Sequence, residues 1–517
     1  MNAINTGSRR AAAIMVQGTA SHVGKSTLAA ALCRIFARHG YSVAPFKGWN
    51  MALNSYVTAD GGEIGRAQGE QAEACGIEAT VHMNPILIKP SAPGKSHIIV
   101  RGRVFAERGY APDAPDETAY MLQVIGESLA LLRREYEILV LEGAGSPAEL
   151  NLMERDVANM KTAALAEAPV LLVGDMERGG ALAACAGTVS LLPVEDRVRV
   201  AGFILNKFGG DPARLQPAVA ALEAHTGLPV LGVIPHLSAT GVAEEDGAVL
   251  ESTPRAAAAD GKLQICVLRL PHISNFTDFD PLQAEKDVAL LFSTAAEDVA
   301  AADAVILPGT RNSMYDLLFL QKLGLDSMIR RLAAAGVPIA GICGGFQILG
   351  EMLSDPEGRE LGGRGAELRG LGLLPVRTHF LPEKKVGRTV AESRLPFAPN
   401  VKVRGYEIHR GQSERKAGCR PAFLLQDGRE DGAVAAGGLI WGTYLHGFFD
   451  SPAFRRAWLN MLRRRRGWQP LGEAAEAERS RRFDCLADAV EAALDLQAIY
   501  DLLGLDGPRK ERKAWRK

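Results

Sequence analysis

One stretch constrains the fold more than any other. The apolar run AAIMVQG (12–18) passes through TASHVGKST (19–27) straight into a helical pattern. An unbroken aliphatic run of that length fits a strand buried on both faces, and such strands belong to parallel sheets with helices on either side. The signature recurs in ILVLEGAG (138–145), APVLLVGD (168–175) and VRVAGFILNK (198–207), with helical patterns between them. Segment 26–40, STLAAALCRIFARHG, reads as the first helix, with Gly40 just past its end where a left-handed cap sits. The pattern lapses at about 238–261, and a second α/β rhythm then begins with LQICVLRL (263–270). It continues through ADAVILPGT (302–310) and GVPIAGICGG (336–345) and closes with GGLIWGTYLHG (437–447). The expected organisation is an α/β parallel-sheet domain over 1–240, a linker over 241–262, a second α/β domain over 263–505 and a basic tail over 506–517.

Composition narrows the partners. At 517 residues the chain is too long for one ordinary core. Its formal net charge of −1 supplies no global field for nucleic acid or an anionic membrane. Seven cysteines without a CxxC pair suit a reducing compartment better than a disulfide framework. With no long apolar signal core and no run of about 20 apolar residues, the expected place is the cytoplasm. The expected partners are small molecules, with no nucleic acid and no membrane; oligomeric state is left open. The Arg463–Arg466 run reads as a solvated helix end.

The loop Gly18–Thr27 has the parts of a phosphate cradle. Backbone N–H groups wrap the anion, the helix N-terminus adds its dipole, and a lysine neutralises terminal phosphate charge. The nucleotide-binding candidates are Gly18, Thr19, Ser21, Gly24, Lys25, Ser26 and Thr27. The plainer alternative is a Gly-rich turn that merely joins strand to helix. Counted from Gly18, the spacing is one residue longer than the common G-x4-G-K-[ST], and it resembles the loop of dethiobiotin synthetase and its relatives. Ser26 is expected to ligate magnesium together with a carboxylate, and Glu142, ending its strand, is the choice. Asp175, ending the next strand, is a second candidate. Lys47 is a phosphate candidate or an ordinary solvated lysine, and Asn206 is placed to contact the nucleotide base.

Residues 341–345 read Gly-Ile-Cys-Gly-Gly directly after an apolar run. A nucleophile between small neighbours fits a tight strand-to-helix elbow, where a helix N-terminus favours thiolate and backbone N–H groups form an oxyanion hole. Cys343 is the candidate nucleophile, Gly344 the oxyanion donor, and His446, at the end of LIWGTYLH, the general base. A buried structural Cys and a hydrogen-bonded structural His are the bland alternatives. These parts resemble class I glutamine amidotransferases, and the resemblance implies that Gly309 supplies the rest of the oxyanion hole. It also exposes a departure: the usual His-x-Glu is replaced by His446-Gly447-Phe448, so another carboxylate or a carbonyl must orient the imidazole, or the site works as a dyad.

Longer stretches extend the likeness. PFKGWNMALNSYVT (45–58), GEIGRAQGEQAEACGIEATVHMNPILIKP (62–90), LEGAGSPAELNL (141–152), NKFGGD (206–211), RLPHISNFTDFDPL (269–282), LPGTRNS (307–313) and GYEIHRG (405–411) resemble the corrinoid amidotransferases of cobalamin biosynthesis. That resemblance implies a P-loop-type, dethiobiotin synthetase-like ATP domain fused to a class I amidotransferase domain. It further implies ATP and Mg2+, and amidation of the b, d, e and g carboxylates of adenosylcobyrinic acid a,c-diamide. The sibling enzyme that makes the a,c-diamide is the near alternative, and a non-catalytic nucleotide switch is the distant one. Asn50, Asn54 and Tyr56 suit corrinoid binding or no function. Glu407 and His409 could orient His446, bind glutamine, contact the corrinoid or be structural.

Overall fold

The computed structural model describes residues 11–92, 95–108, 115–237, 261–361, 365–472 and 479–509. The expected linker, except its last two residues, and the tail beyond 509 lie outside the described residues. In the first half six strands form one parallel sheet. Their order is Val230–Pro235, Val200–Phe208, Val170–Asp175, Ala12–Gly18, Ile138–Glu142 and Val43–Phe46. Ile138–Glu142 is buried at all five positions, as a strand covered on both faces requires. From Ala12–Gly18 the chain passes to the edge strand Val43–Phe46, returns to Ile138–Glu142 beside the first strand, and then runs outward on the other side. Because all six strands are parallel, Gly18, Lys47, Glu142 and Asp175 gather at the carboxyl edge, where open α/β sheets take ligands.

The second half repeats the plan with strands ordered Val288–Ser293, Leu263–Leu268, Ala304–Leu307, Ile339–Ile342, Ile440–Thr443 and Ala433–Ala435. All neighbours are parallel except the last pair. The closing run 437–447 is not one strand. It breaks at Tyr444, and Leu445–His446 crosses to a second sheet built on the long hairpin Val376–Ser393 and Lys402–Arg415. Tyr406 is thereby opposite His446. The same hairpin reaches the first half: Lys384 pairs with Glu63 at 2.5 Å, and Arg388 Nε donates to the Val57 carbonyl at 2.6 Å. Val57, Tyr406 and Ile408 form a small shared apolar cluster.

The end of the chain corrects the expected boundary. Helices Arg479–Glu491 and Leu496–Leu503, placed by sequence in the second domain, pack on the first. Phe483, Leu486, Val490, Ile499 and Tyr500 join Leu28, Leu32, Ile35 and Phe36 in one core. The physical reason lies in helix Lys25–Arg38, which is buried around almost its whole circumference and therefore needs cover on the side away from the sheet. Arg34 pairs with Asp484 at 2.8 Å across that boundary. The Arg463–Arg466 run is largely a solvated helix end, with Arg464, Arg465 and Arg466 exposed, while Arg463 meets Asp287 at 3.1 Å and Arg466 meets Asp303.

Candidate active sites

At the first sheet's carboxyl edge, Gly24 caps helix Lys25–Arg38 in the left-handed region, φ 98°. A Cβ there would lie 2.1 Å from Asn206 Nδ2, so glycine is required for closeness as well as for φ. Asn206 Nδ2 donates to the Val23 carbonyl at 2.8 Å, and the Thr19 N–H donates to Val173 O at 2.9 Å. The loop is thus tied to the strands on its flank. Lys25 Nζ donates to Ala20 O at 2.8 Å and Gly145 O at 3.0 Å, which holds its charge over the loop mouth.

Glu142 organises the rest. Its Oε1 accepts from Ser26 Oγ and from Lys47 Nζ, each at 2.8 Å, and its Oε2 accepts from Gln71 Nε2 at 2.8 Å. Burial works to raise this carboxyl, but the Lys47 charge and the hydrogen bonds from Lys47, Gln71 and Ser26 outweigh it and hold it below the usual range. Lys47 is therefore a buried ion-pair partner, and the solvated-lysine alternative is overturned: its side chain is only 5% exposed. Asp175 stands apart, paired with Lys207 at 3.1 Å. Sequence reasoning misses Gln71, one of five polar or charged side chains in the helix RAQGEQAEAC (66–75), where nothing local marks it out. Asn50 and Asn54 are buried, and Asn50 donates to Gln68 at 2.9 Å.

Among the described residues no three His, Cys, Asp or Glu side chains converge on one metal position. Two hard oxygens, Ser26 Oγ and a charged Glu142, do sit together beside the loop. That set fits magnesium, which takes one or two protein ligands and completes its shell with phosphate oxygens and water.

In the second half, Cys343 stands between strand Ile339–Ile342 and helix Gly344–Leu349 with φ 50° and ψ −106°. A non-glycine residue held there costs about 1–3 kcal/mol. Tight packing around its glycines holds it: a Cβ on Gly345 would lie 2.0 Å from Leu307 O, and one on Gly344 would lie 2.3 Å from Thr310 Cγ2. A Cβ on Gly344 would also lie 3.1 Å from Thr310 N, next in the chain to Gly309, where a Cβ would lie 2.9 Å from His446 Cε1. Ser274 N–H fixes that turn by donating to Gly309 O at 2.8 Å.

The missing third group is Asp278. Its Oδ2 lies 2.6 Å from His446 Nδ1, and its Oδ1 accepts the Gly447 N–H at 3.0 Å. Burial alone would lower the imidazole's pKa, but the charge and hydrogen bond of Asp278, with a smaller contribution from Cys343, raise it to about 10. The ring stacks on Tyr406, centroids 5.1 Å apart, and Nε2 is the nitrogen left for the thiol. Glu407 does not orient it, since Glu407 pairs with Lys385 at 2.7 Å and Arg429 at 2.9 Å. His409 does reach the site: it stacks on Tyr444 at 3.8 Å and lines, with Cys343, Gln347 and Glu360, one pocket. Lys89 of the first half lines the same pocket.

A strained thiol, an imidazole with its orienting carboxylate, and a phosphate cradle in the facing domain together define a glutamine-dependent, nucleotide-binding, amide-forming enzyme. Family models agree: residues 14–250 match a CobQ/CobB/MinD/ParA nucleotide binding domain, and residues 264–454 match a CobB/CobQ-like glutamine amidotransferase domain. The chain is 49% identical over 97% of its length to the cobyric acid synthase of Pelotomaculum thermopropionicum, covering 98% of that protein. It is 49% identical to that of Moorella thermoacetica, covering 96% of this chain and 98% of the relative. For the Sorangium cellulosum enzyme the figures are 46%, 95% and 99%. The chain belongs to the cobyric acid synthase family. Among the described residues no helix is long and apolar enough to cross a membrane.

Proposed function

We propose that the enzyme amidates the b, d, e and g carboxylates of adenosylcobyrinic acid a,c-diamide, consuming ATP and glutamine at each step and yielding adenosylcobyric acid. The observation that carries this reading is similarity to cobyric acid synthases over 97% of the chain, supported by the Asp278–His446 and Ser26–Glu142 pairs.

A carboxylate does not exchange its oxygen for ammonia at neutral pH, because the leaving group would be oxide. Transfer of the ATP γ-phosphoryl group to the substrate carboxylate creates an acyl phosphate, whose leaving group is phosphate. Lys25 supports that transfer by offsetting charge on the phosphates, and the loop N–H groups from Gly18 to Thr27 hold them in place. Ser26 and Glu142 would hold magnesium, which supplies further charge neutralisation when bound.

At the second site Cys343 Sγ attacks the glutamine side-chain amide carbon. The oxyanion is received by the N–H groups of Gly309 and Gly344, while His446, held by Asp278, delivers a proton to the departing ammonia. Water, deprotonated by His446, then cleaves the glutamyl thioester and releases glutamate. Ammonia attacks the acyl phosphate, forming the amide and releasing phosphate.

The test is to incubate the purified protein with ATP, magnesium, glutamine and adenosylcobyrinic acid a,c-diamide and to separate products by charge. A ladder of one to four amidations supports the reading. Conversion of unamidated cobyrinic acid in its place would reassign the chain to a,c-diamide synthesis.

A further inference from the structure

A three-membered charge cluster sits where the two domains meet. Glu63, buried in the first domain, accepts from Lys89 at 3.0 Å through Oε1 and from Lys384 of the second domain at 2.5 Å through Oε2. Ser55 Oγ joins at 2.8 Å from Glu63, and the Ser55 N–H donates to Asn275 Oδ1 of the second domain at 2.9 Å. The side chains of Lys89 and Lys384 are 6% and 14% exposed, and that of Glu63 only 1%. Two lysines share one carboxylate, so the cluster carries one positive charge in excess. A buried uncompensated charge is costly, and it is relieved by a shifted pKa or by a paired counter-charge. Both lysines line the pocket that contains Cys343.

We infer that the Lys89–Glu63–Lys384 cluster is the receptor for the α-carboxylate of glutamine, so that the synthetase domain completes the glutaminase site. This rests on the glutaminase reading of Cys343. The ligand's chemistry matches: glutamine carries a carboxylate a few bonds from the amide that Cys343 attacks, and the excess charge faces the cavity that amide must enter. Burial and the neighbouring Lys384 and Arg311 charges lower Lys89 to about 8 despite Glu63, as expected of a cation still short of negative charge. The other end of the amino acid has a counterpart in the same lining. Glu360, the one carboxylate there among the described residues, is raised to about 8 by burial and by Asp355 and Asp316, and the α-ammonium would supply its missing cation.

The test uses the full-length enzyme and two substitutions, Lys89→Met and Lys384→Met, one in each domain. Each leaves Glu63 one lysine, so neither strands a buried charge. Two constants are read: KM for glutamine, and the inhibition constant of 4-aminobutanamide, the same amide without an α-carboxylate. Removing one charge-assisted hydrogen bond to the ligand raises KM about ten- to a hundredfold. The expected result is that rise for glutamine in both variants, with the inhibition constant of 4-aminobutanamide unchanged. An unmoved glutamine KM overturns the inference, and so do parallel shifts in both constants, which would mark a structural role. A rise confined to the corrinoid KM in ammonium-driven synthesis also overturns it, because the receptor would then serve a substrate carboxylate. A wild-type enzyme that hydrolyses no glutamine would sink the glutaminase reading itself, and this inference with it.

Discussion

Asp278 precedes His446 by 168 residues, yet its carboxylate lies 2.6 Å from Nδ1 and fixes which ring nitrogen is left for Cys343. Asn at this position would keep the shape and lose the charge. Asp278→Asn is expected to lower glutaminase kcat by about 10²–10⁴-fold, the cost of a mis-set tautomer. Ammonium-driven amidation should persist, and a steady-state comparison of the two nitrogen sources checks both halves of the statement.

The same pair ties stability to pH. With His446 raised to about 10, its contribution is fully present below the unfolded value of roughly 6.5 and is lost as pH rises through the folded value. Thermal unfolding followed from pH 7 to 10 should therefore show a decline that Asp278→Asn flattens. Equal slopes in the two proteins would contradict the assignment.

Cys343→Ala should abolish glutamine hydrolysis and glutamine-driven synthesis while leaving turnover with high free ammonium. Loss of both activities in a folded variant would show that the two halves do not work separately. Retained glutamine hydrolysis would remove Cys343 as the nucleophile.

Lys25→Ala and Glu142→Gln should each suppress synthesis with either nitrogen source, by about a hundredfold or more if each withdraws one fixed charge from phosphoryl transfer. Glutamine hydrolysis is the internal control. Unchanged ammonium-driven turnover in either variant would remove that residue from the phosphate site.

Phe483 lies far along the chain from the phosphate loop, but its ring is buried in the core beneath helix Lys25–Arg38. Truncation by Phe483→Ala should cost about 3–5 kcal/mol of stability. It should also lower the unfolding temperature of the nucleotide-binding domain, and added ATP should partly restore that temperature. A variant that melts like wild type would place residues 479–503 outside that domain's folding unit.

What is legible in the sequence is what neighbouring residues determine. Strands such as Ile138–Glu142 announce themselves because both faces are buried, and the Cys343 elbow does so because only small residues fit around it. Asp278 is hidden because it approaches His446 from a short 3-10 turn in a different segment, and nothing local to either residue encodes that meeting. Lys47 is ambiguous because a lysine after a strand is as often solvated as buried; only the position of Glu142 on the adjacent strand decides it. The last two helices are misplaced because an amphipathic pattern shows that a helix packs and not on which domain. The clue is in helix Lys25–Arg38, whose run Leu28–Ala37 is almost wholly apolar and cannot be satisfied by one sheet.

That placement of the last helices has a consequence in time. A ribosome adds about 5–20 residues per second, and domains ordinarily fold as they emerge. Here the phosphate loop and its helix emerge first, but Phe483, Val490 and Tyr500, which cover them, are made only after the entire amidotransferase domain. The first domain to be synthesised is the last to be finished. Until those residues emerge, the nascent chain carries an uncovered apolar helix face for tens of seconds. Closing that face so late makes residues 479–503 part of the nucleotide-binding domain's core, so a chain that stops before them leaves its first domain uncovered.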